Sequence, residues 1–89
     1  MTTPLTAQQV LQVVQQAVAT VLELDPATVG REAAFRTDLD ADSLALVEIV
    51  EIVEEQLAPL ARAGFHIDDE DLDALTTVGD AVDYAYARL

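Results

Sequence analysis

The run SLALVEIVEIVEEQL, residues 43–57, constrains this chain more than any other stretch. Wound at about 100° per residue, it gathers Leu46, Ile49, Val50, Val53 and Leu57 into one sector about 100° wide, as the core stripe of a helix should. On the opposite side Glu48, Glu51 and Glu55 cluster with Leu44 and Ile52. A face that only solvates has little use for two aliphatics, although scattered surface aliphatics are common. The helix therefore has one face for a core and a second that invites explanation.

Eighty-nine residues make one small domain, residues 1–89. With no cysteine, neither disulfides nor thiolate metal sites can staple it, so a chain this short depends on well-packed helices. Its 52% apolar content supplies a core. Thr6-Ala7-Gln8-Gln9 reads as a capping box. It opens a first helix to Leu22 whose stripe is Val10, Leu11, Val14, Ala17, Val18, Val21 and Leu22. Asp25-Pro26 is expected to stop it, because the residue before proline disfavours the helical region.

Residues 24–41 read as a long connection with one short turn near 27–29, pinned by Leu24, Val29, Phe35 and Leu39. Unstructured connections of this length in small domains tend to be functional, and this one leads to Ser43. After the second helix, Pro59 and Gly64 mark a loop, and Asp68–Leu75 reads as a short third helix. Thr77-Val78-Gly79-Asp80 repeats the capping-box pattern and opens a last helix to about Arg88. Its expected buried stripe is Val78, Val82, Ala85 and Leu89, with Tyr86 alongside. The fold class expected is all-α: a small four-helix bundle of three main helices plus a short third one.

Charge narrows the partners. Seventeen acidic residues stand against four arginines and no lysine, a formal charge of -13. Such a surface repels nucleic acid and anionic membrane and favours basic protein patches. No apolar run is long enough to cross a bilayer, and the N-terminus lacks a basic signal-peptide start. A cytoplasmic monomer is the expectation.

Catalysis and metal binding find little support. Asp38, Asp40 and Asp42 begin an EF-hand pattern, but Ser43 and Ile49 stand where that loop needs glycine and a bidentate glutamate. Asp69, Asp71 and Asp73 fail the same test at Ala74 and Asp80. No dedicated metal site is expected, only loose divalent-cation binding to the acidic surface. The single histidine, His66, lies in a loop far from Ser43 in sequence, and no G-x-S-x-G elbow surrounds the serine. Only three glycines exist, and none forms a phosphate-cradling loop. No catalytic residue is assigned.

Ser43 is the only serine in the chain. As a bare Asp-Ser at a helix start it would be an N-cap. The larger pattern is Asp42-Ser43-Leu44 at the head of an acidic amphipathic helix, behind a long loop, in an acidic helical chain. This combination resembles the acyl carrier proteins over nearly the whole length. Phe35 and Asp38-Leu39 stand where that family has its aromatic and its Asp-Leu, and Val47-Glu48-Ile49-Val50 resembles its Val-Glu-Leu-Val. Ile67, Leu75-Thr76-Thr77-Val78 and Ala81-Val82-Asp83-Tyr84 resemble the later helices. Two departures stand out. Asp40 replaces the usual glycine, which leaves the backbone there open, and residues 58–65 lengthen the loop after the second helix.

The resemblance implies a covalent 4'-phosphopantetheine on Ser43, donated from coenzyme A by a phosphopantetheinyl transferase. Its thiol would carry acyl groups as thioesters, sheltered between the second and third helices. It also implies recognition through Asp42, Leu44, Val47, Glu48, Glu51, Ile52 and Glu55. The partners would be acyltransferase, acyl-activating or ketosynthase-type enzymes with basic docking patches. The Asp-Ala-Asp-Ser-Leu core resembles acyl carriers of fatty-acid and polyketide systems more than peptidyl carriers, and the longer loop and Asp40 lean towards a discrete, non-catalytic carrier of polyketide or other specialised biosynthesis. A housekeeping fatty-acid carrier or an aminoacyl or peptidyl carrier is the alternative. An acidic interaction bundle with an unmodified Ser43 is the reading from a different class.

Overall fold

A computed structural model describes residues 6–60 and 66–89. Three α-helices form the body: α1 (Ala7–Leu22), α2 (Ser43–Leu57) and α3 (Val78–Ala87). Short 3-10 turns stand at Pro26–Thr28, Ala58–Leu60 and Asp69–Ala74. The α1 helix packs against both α2 and α3.

Local sequence explains the helix ends. The Thr6 hydroxyl accepts the Gln9 N–H at 3.2 Å, and the Gln9 side chain accepts the Thr6 N–H at 2.8 Å, completing the expected capping box. Val10, Val14, Ala17 and Val18 are buried, with Leu11, Val21 and Leu22 packed beside them. The stop differs from expectation. α1 ends at Glu23, whose left-handed φ of 57° reverses the chain two residues before Asp25-Pro26. Asp25 instead caps the next turn, its carboxylate accepting the Ala27 N–H at 2.9 Å.

The connection after α1 is pinned by Val29 and Phe35, both fully buried, while Leu39 is half-buried. Leu24 is 39% exposed and pins nothing. Burying a side chain such as Phe35 is worth about 1.5–3 kcal/mol. The backbone of this connection is paired with the start of α3. Phe35 N–H donates to the Thr76 carbonyl at 2.9 Å, Val78 N–H to Ala33 at 2.9 Å and Gly79 N–H to Arg31 at 2.8 Å. The first N–H groups of a helix have no partner within it, so these loop carbonyls fill an otherwise empty role. Gly79 matters here because a Cβ would stand 3.1 Å from the Arg31 carbonyl oxygen.

In α2 the stripe is as read: Leu46, Ile49, Val50, Val53 and Leu57 are all buried. The loop that follows opens with the Ala58–Leu60 turn, and residues 61–65, the remainder of the stretch read as lengthened, lie outside the described residues. The expected short third helix is a six-residue 3-10 segment. Its sequence, DEDLDA, has one large apolar residue and four acids, so neither a buried stripe nor favourable charge pairs support a longer α-helix. It is clamped to α3 from the far side. The Tyr84 hydroxyl donates to Asp71, and the Arg88 guanidinium lies 3.4 Å from the Tyr84 ring centroid and 3.6 Å from the Asp71 carboxylate. Burial, then the hydrogen bond to Asp71, pushes the Tyr84 phenol above its ordinary pKa.

The last helix keeps its Thr77–Asp80 capping box, and Val78, Val82 and Ala85 are buried. Leu89 and Tyr86 are not part of that stripe, being 36% and 46% exposed. The helix ends at Ala87, so Leu89 leaves its register, and Tyr84 packs against the core instead.

Candidate functional site

Three hydrogen-bonded turns deliver the chain to the head of α2. The Asp38 carboxylate accepts the Ala34 N–H at 2.8 Å, while the Asp38 and Leu39 N–H groups both donate to the Ala34 carbonyl at 3.0 Å. Ala41 N–H then donates to Phe35 at 2.7 Å, and Ala41 itself is buried. Between them Asp40 takes a φ of 54°, the left-handed region that glycine favours. Aspartate is among the side chains that enter this region most readily. The departure at position 40 thus keeps a glycine-type backbone.

Asp42, rather than Ser43, caps α2. Its Oδ1 accepts the Ala45 N–H at 2.8 Å, and its backbone is extended, with φ -81° and ψ -178°. Ser43 is the first helical residue, exposed, with its hydroxyl outside the cap. The plain N-cap role that a bare Asp-Ser would suggest for Ser43 thus falls to Asp42. Among the described residues the hydroxyl hydrogen-bonds one side chain, Arg36, whose Nη2 donates to Ser43 Oγ at 3.1 Å. Sequence reading missed Arg36, because it lies in the irregular connection before α2, where no period tells which side chains meet.

Beside Arg36 a cavity of about 470 Å³ opens between the connection, α2 and the 3-10 segment. Phe35, Leu46, Leu72 and Leu75 give it apolar wall, and Arg36, Thr37, Asp73 and Thr76 a polar rim.

The outward face of α2 carries Leu44, 68% exposed, with Glu48, Glu51 and Glu55 exposed beside it and Asp42 at its head. Val47 is half-buried at one margin. Ile52 is not the exposed aliphatic expected. It is half-buried against the core and lines a groove shared with Gln9, Gln12 and Gln16 of α1. Glu54, overlooked in the sequence, accepts the Ile67 N–H at 2.7 Å and lies 3.4 Å from the His66 imidazole. His66 is exposed, and its other ring nitrogen faces Asp68 at 3.5 Å.

A family model described as a phosphopantetheine attachment site matches residues 12–85. The acyl carrier protein of Rubrobacter xylanophilus is 43% identical over 77 residues, 86% of this chain and 88% of that protein. The chain belongs to the acyl carrier protein family. A second carrier of that name, from Exiguobacterium sp., is 39% identical over 85 residues, covering 96% of this chain and all of its own. The meromycolate extension acyl carrier protein of Mycobacterium tuberculosis is 36% identical over 81 residues, 91% of this chain and 65% of that protein. A solved structure of the Enterococcus faecalis acyl carrier protein superposes with a TM-score of 0.72 at 29% identity. It covers 96% of this chain and all of its own. Membership brings the cofactor with it: acyl carrier proteins bear a covalent 4'-phosphopantetheine and meet a phosphopantetheinyl transferase and acyl-handling enzymes.

Proposed function

We propose that Ser43 is the tether point of the phosphopantetheine arm, and that the protein is a non-catalytic carrier docking its partners through the outward face of α2. The observation carrying this reading is the division of labour at the helix head. Asp42 satisfies the cap, so the Ser43 hydroxyl is exposed and free of the helix cap, meeting the exposed Arg36 side chain instead. Modification needs such a hydroxyl. Ser43 Oγ forms a bond to phosphorus, the pyrophosphate P–O bond of coenzyme A breaks, adenosine 3',5'-bisphosphate leaves, and the serine proton goes to a base on the transferase. When bound, the arm supplies a thiol that holds acyl groups as thioesters, sulfur chemistry that a chain without cysteine cannot otherwise offer. The cavity walled by Phe35, Leu46, Leu72 and Leu75 is placed to shelter part of an acyl chain.

Docking falls to Asp42, Leu44, Val47, Glu48, Glu51 and Glu55, with half-buried Ile52 at the edge. Acyltransferase, acyl-activating and ketosynthase-type enzymes with basic patches fit this face. Serial docking needs brief encounters, and charge steering raises on-rate without great affinity. The whole chain acts as one cytoplasmic, monomeric domain without nucleic-acid or membrane partners, in keeping with its charge of -13.

The pathway proposed is polyketide or related specialised biosynthesis, supported by the lengthened loop 58–65 and the acidic replacement at position 40. A housekeeping fatty-acid carrier is the second reading, favoured by the similarity to the Rubrobacter and Exiguobacterium carriers. Intact mass spectrometry of protein from its own host, with Ser43→Ala beside it, tests both levels. The arm's mass should appear on the wild type and vanish in the variant. Modification of the variant would end the Ser43 reading, and the acyl group found on the wild type decides between the pathways.

A further inference from the structure

We propose that Arg36 is a positioning residue for the phosphodiester, its guanidinium moving from Ser43 Oγ to a non-bridging phosphate oxygen once the arm is attached. This rests on the reading of Ser43 as the tether point.

The geometry starts from the 3.1 Å bond between Arg36 Nη2 and Ser43 Oγ. Esterification removes the hydroxyl proton and turns Oγ into a bridging oxygen, a poor acceptor. It also places, on the phosphorus bonded to that atom, two non-bridging oxygens that share one negative charge. A planar guanidinium already at Oγ needs only a small side-chain rotation to reach one of them, and such charge-assisted bonds are the stronger kind.

The surroundings make the arginine necessary. Asp38, Asp40 and Asp42 precede Ser43 at alternate positions, so the phosphodiester adds a further negative charge to an acidic segment. Two of these carboxylates are directed at backbone N–H groups, of Ala34 and Ala45. Arg36 takes part in none of the ion pairs found among the described residues, so its charge is not spent on a carboxylate. Arg36 also lines the cavity beside Leu46 and Leu72, so a phosphate held there starts the arm at the cavity's rim instead of out in solvent.

The test compares apo and holo forms of the wild type, Arg36→Gln and Arg36→Lys, each driven to complete modification with coenzyme A and a broad transferase and verified by intact mass. Subtracting apo from holo melting temperatures within each variant cancels any general effect of the substitution. The wild type should hold or gain stability on modification. Arg36→Gln should lose about 3 °C, a shift suited to a small domain losing one exposed charge-assisted bond. Arg36→Lys, with charge but no fork, should fall between them. The wild-type Arg36 Nε–H resonance, identified by its loss in Arg36→Lys, should shift between apo and holo forms. Equal apo-to-holo melting changes in the wild type and Arg36→Gln, or an unmoved Nε–H resonance, would overturn the role of Arg36 while leaving Ser43 as the tether. A wild type that gains no mass, or a Ser43→Ala protein that does, would overturn the tether reading and this inference with it.

Discussion

Asp42 Oδ1 accepts the Ala45 N–H at 2.8 Å, so the helix that displays Ser43 is begun by its neighbour. Capping and display are thereby separable by mutation. Asp42→Ala should destabilise the fold by about 0.5–2 kcal/mol, whereas Asp42→Asn keeps an acceptor and most of the stability. Ser43→Ala should change stability by less than about 0.5 kcal/mol, as exposed substitutions away from caps and cores do. Urea unfolding of the three variants checks the order. If Ser43→Ala costs as much as Asp42→Ala, the serine shares the cap.

Two acidic residues sit where glycine is at ease. Glu23 has a φ of 57° at the end of α1 and Asp40 a φ of 54° before Ser43. Left-handed backbone costs an ordinary L-residue about 1–2 kcal/mol, less for aspartate, and glycine's extra unfolded-state entropy takes part of the gain away. Glu23→Gly should raise stability by about 0.5–1 kcal/mol, and Asp40→Gly by less. Each also removes one unit from a charge of -13. Glu23→Ala and Asp40→Ala lose the same charge without the backbone relief, so the Gly-minus-Ala difference in urea midpoint isolates the conformational part. A difference of zero at position 23 would contradict the strain argument.

Tyr84 links the 3-10 segment to α3 and makes that link sensitive to alkali. Burial and the bond to Asp71 raise the phenol above its ordinary value of 10.0, so the folded state holds this proton more tightly than the unfolded state. The associated stability is therefore fully present below pH 10 and is lost as pH rises through the folded pKa. Tyr84→Phe should cost about 0.5–1.5 kcal/mol near neutral pH, the usual worth of one hydrogen bond. Above about pH 10 its stability should fall less steeply than the wild type's, by the linkage between proton binding and folding. Tyr86 is common to both proteins and cancels from the comparison. Parallel stability–pH curves would mean that the phenol does not titrate differently on folding.

Charge and apolar contact on the outward face of α2 should act on different rate constants. Replacing both Glu48 and Glu51 with lysine preserves helix propensity. Association with the transferase should slow about tenfold at low salt and lose most of its salt dependence, as steering charges dictate. Leu44→Ala should instead speed dissociation, because a side chain 68% exposed before docking loses its apolar contact in the complex. Stopped-flow rates across a salt series separate the two. Wild-type association by a folded double variant would move the docking surface to the acidic 69–74 segment.

What the sequence determined by itself was whatever depends on neighbours three or four residues apart. Both capping boxes, the α2 stripe and the bounds of the main helices rest on such local spacing, so the amino-acid string alone carries them. The family pattern around Asp42-Ser43-Leu44 was legible for the same reason: it is an ordered string. Tertiary structure decided the rest. Which of two adjacent N-cap formers takes the cap depends on the backbone that the buried Phe35 and Ala41 impose on the turn before α2. Whether the 69–74 segment becomes α or 3-10 depends on what it packs against, since six mostly acidic residues cannot nucleate a helix alone. Arg36 beside Ser43, Glu54 on the Ile67 N–H and Tyr84 on Asp71 join residues 7 to 13 positions apart across turns and between segments. Such contacts run between segments rather than within one helix, so no repeat in the sequence announces them, and they form only where the connections fold back against α2 and α3.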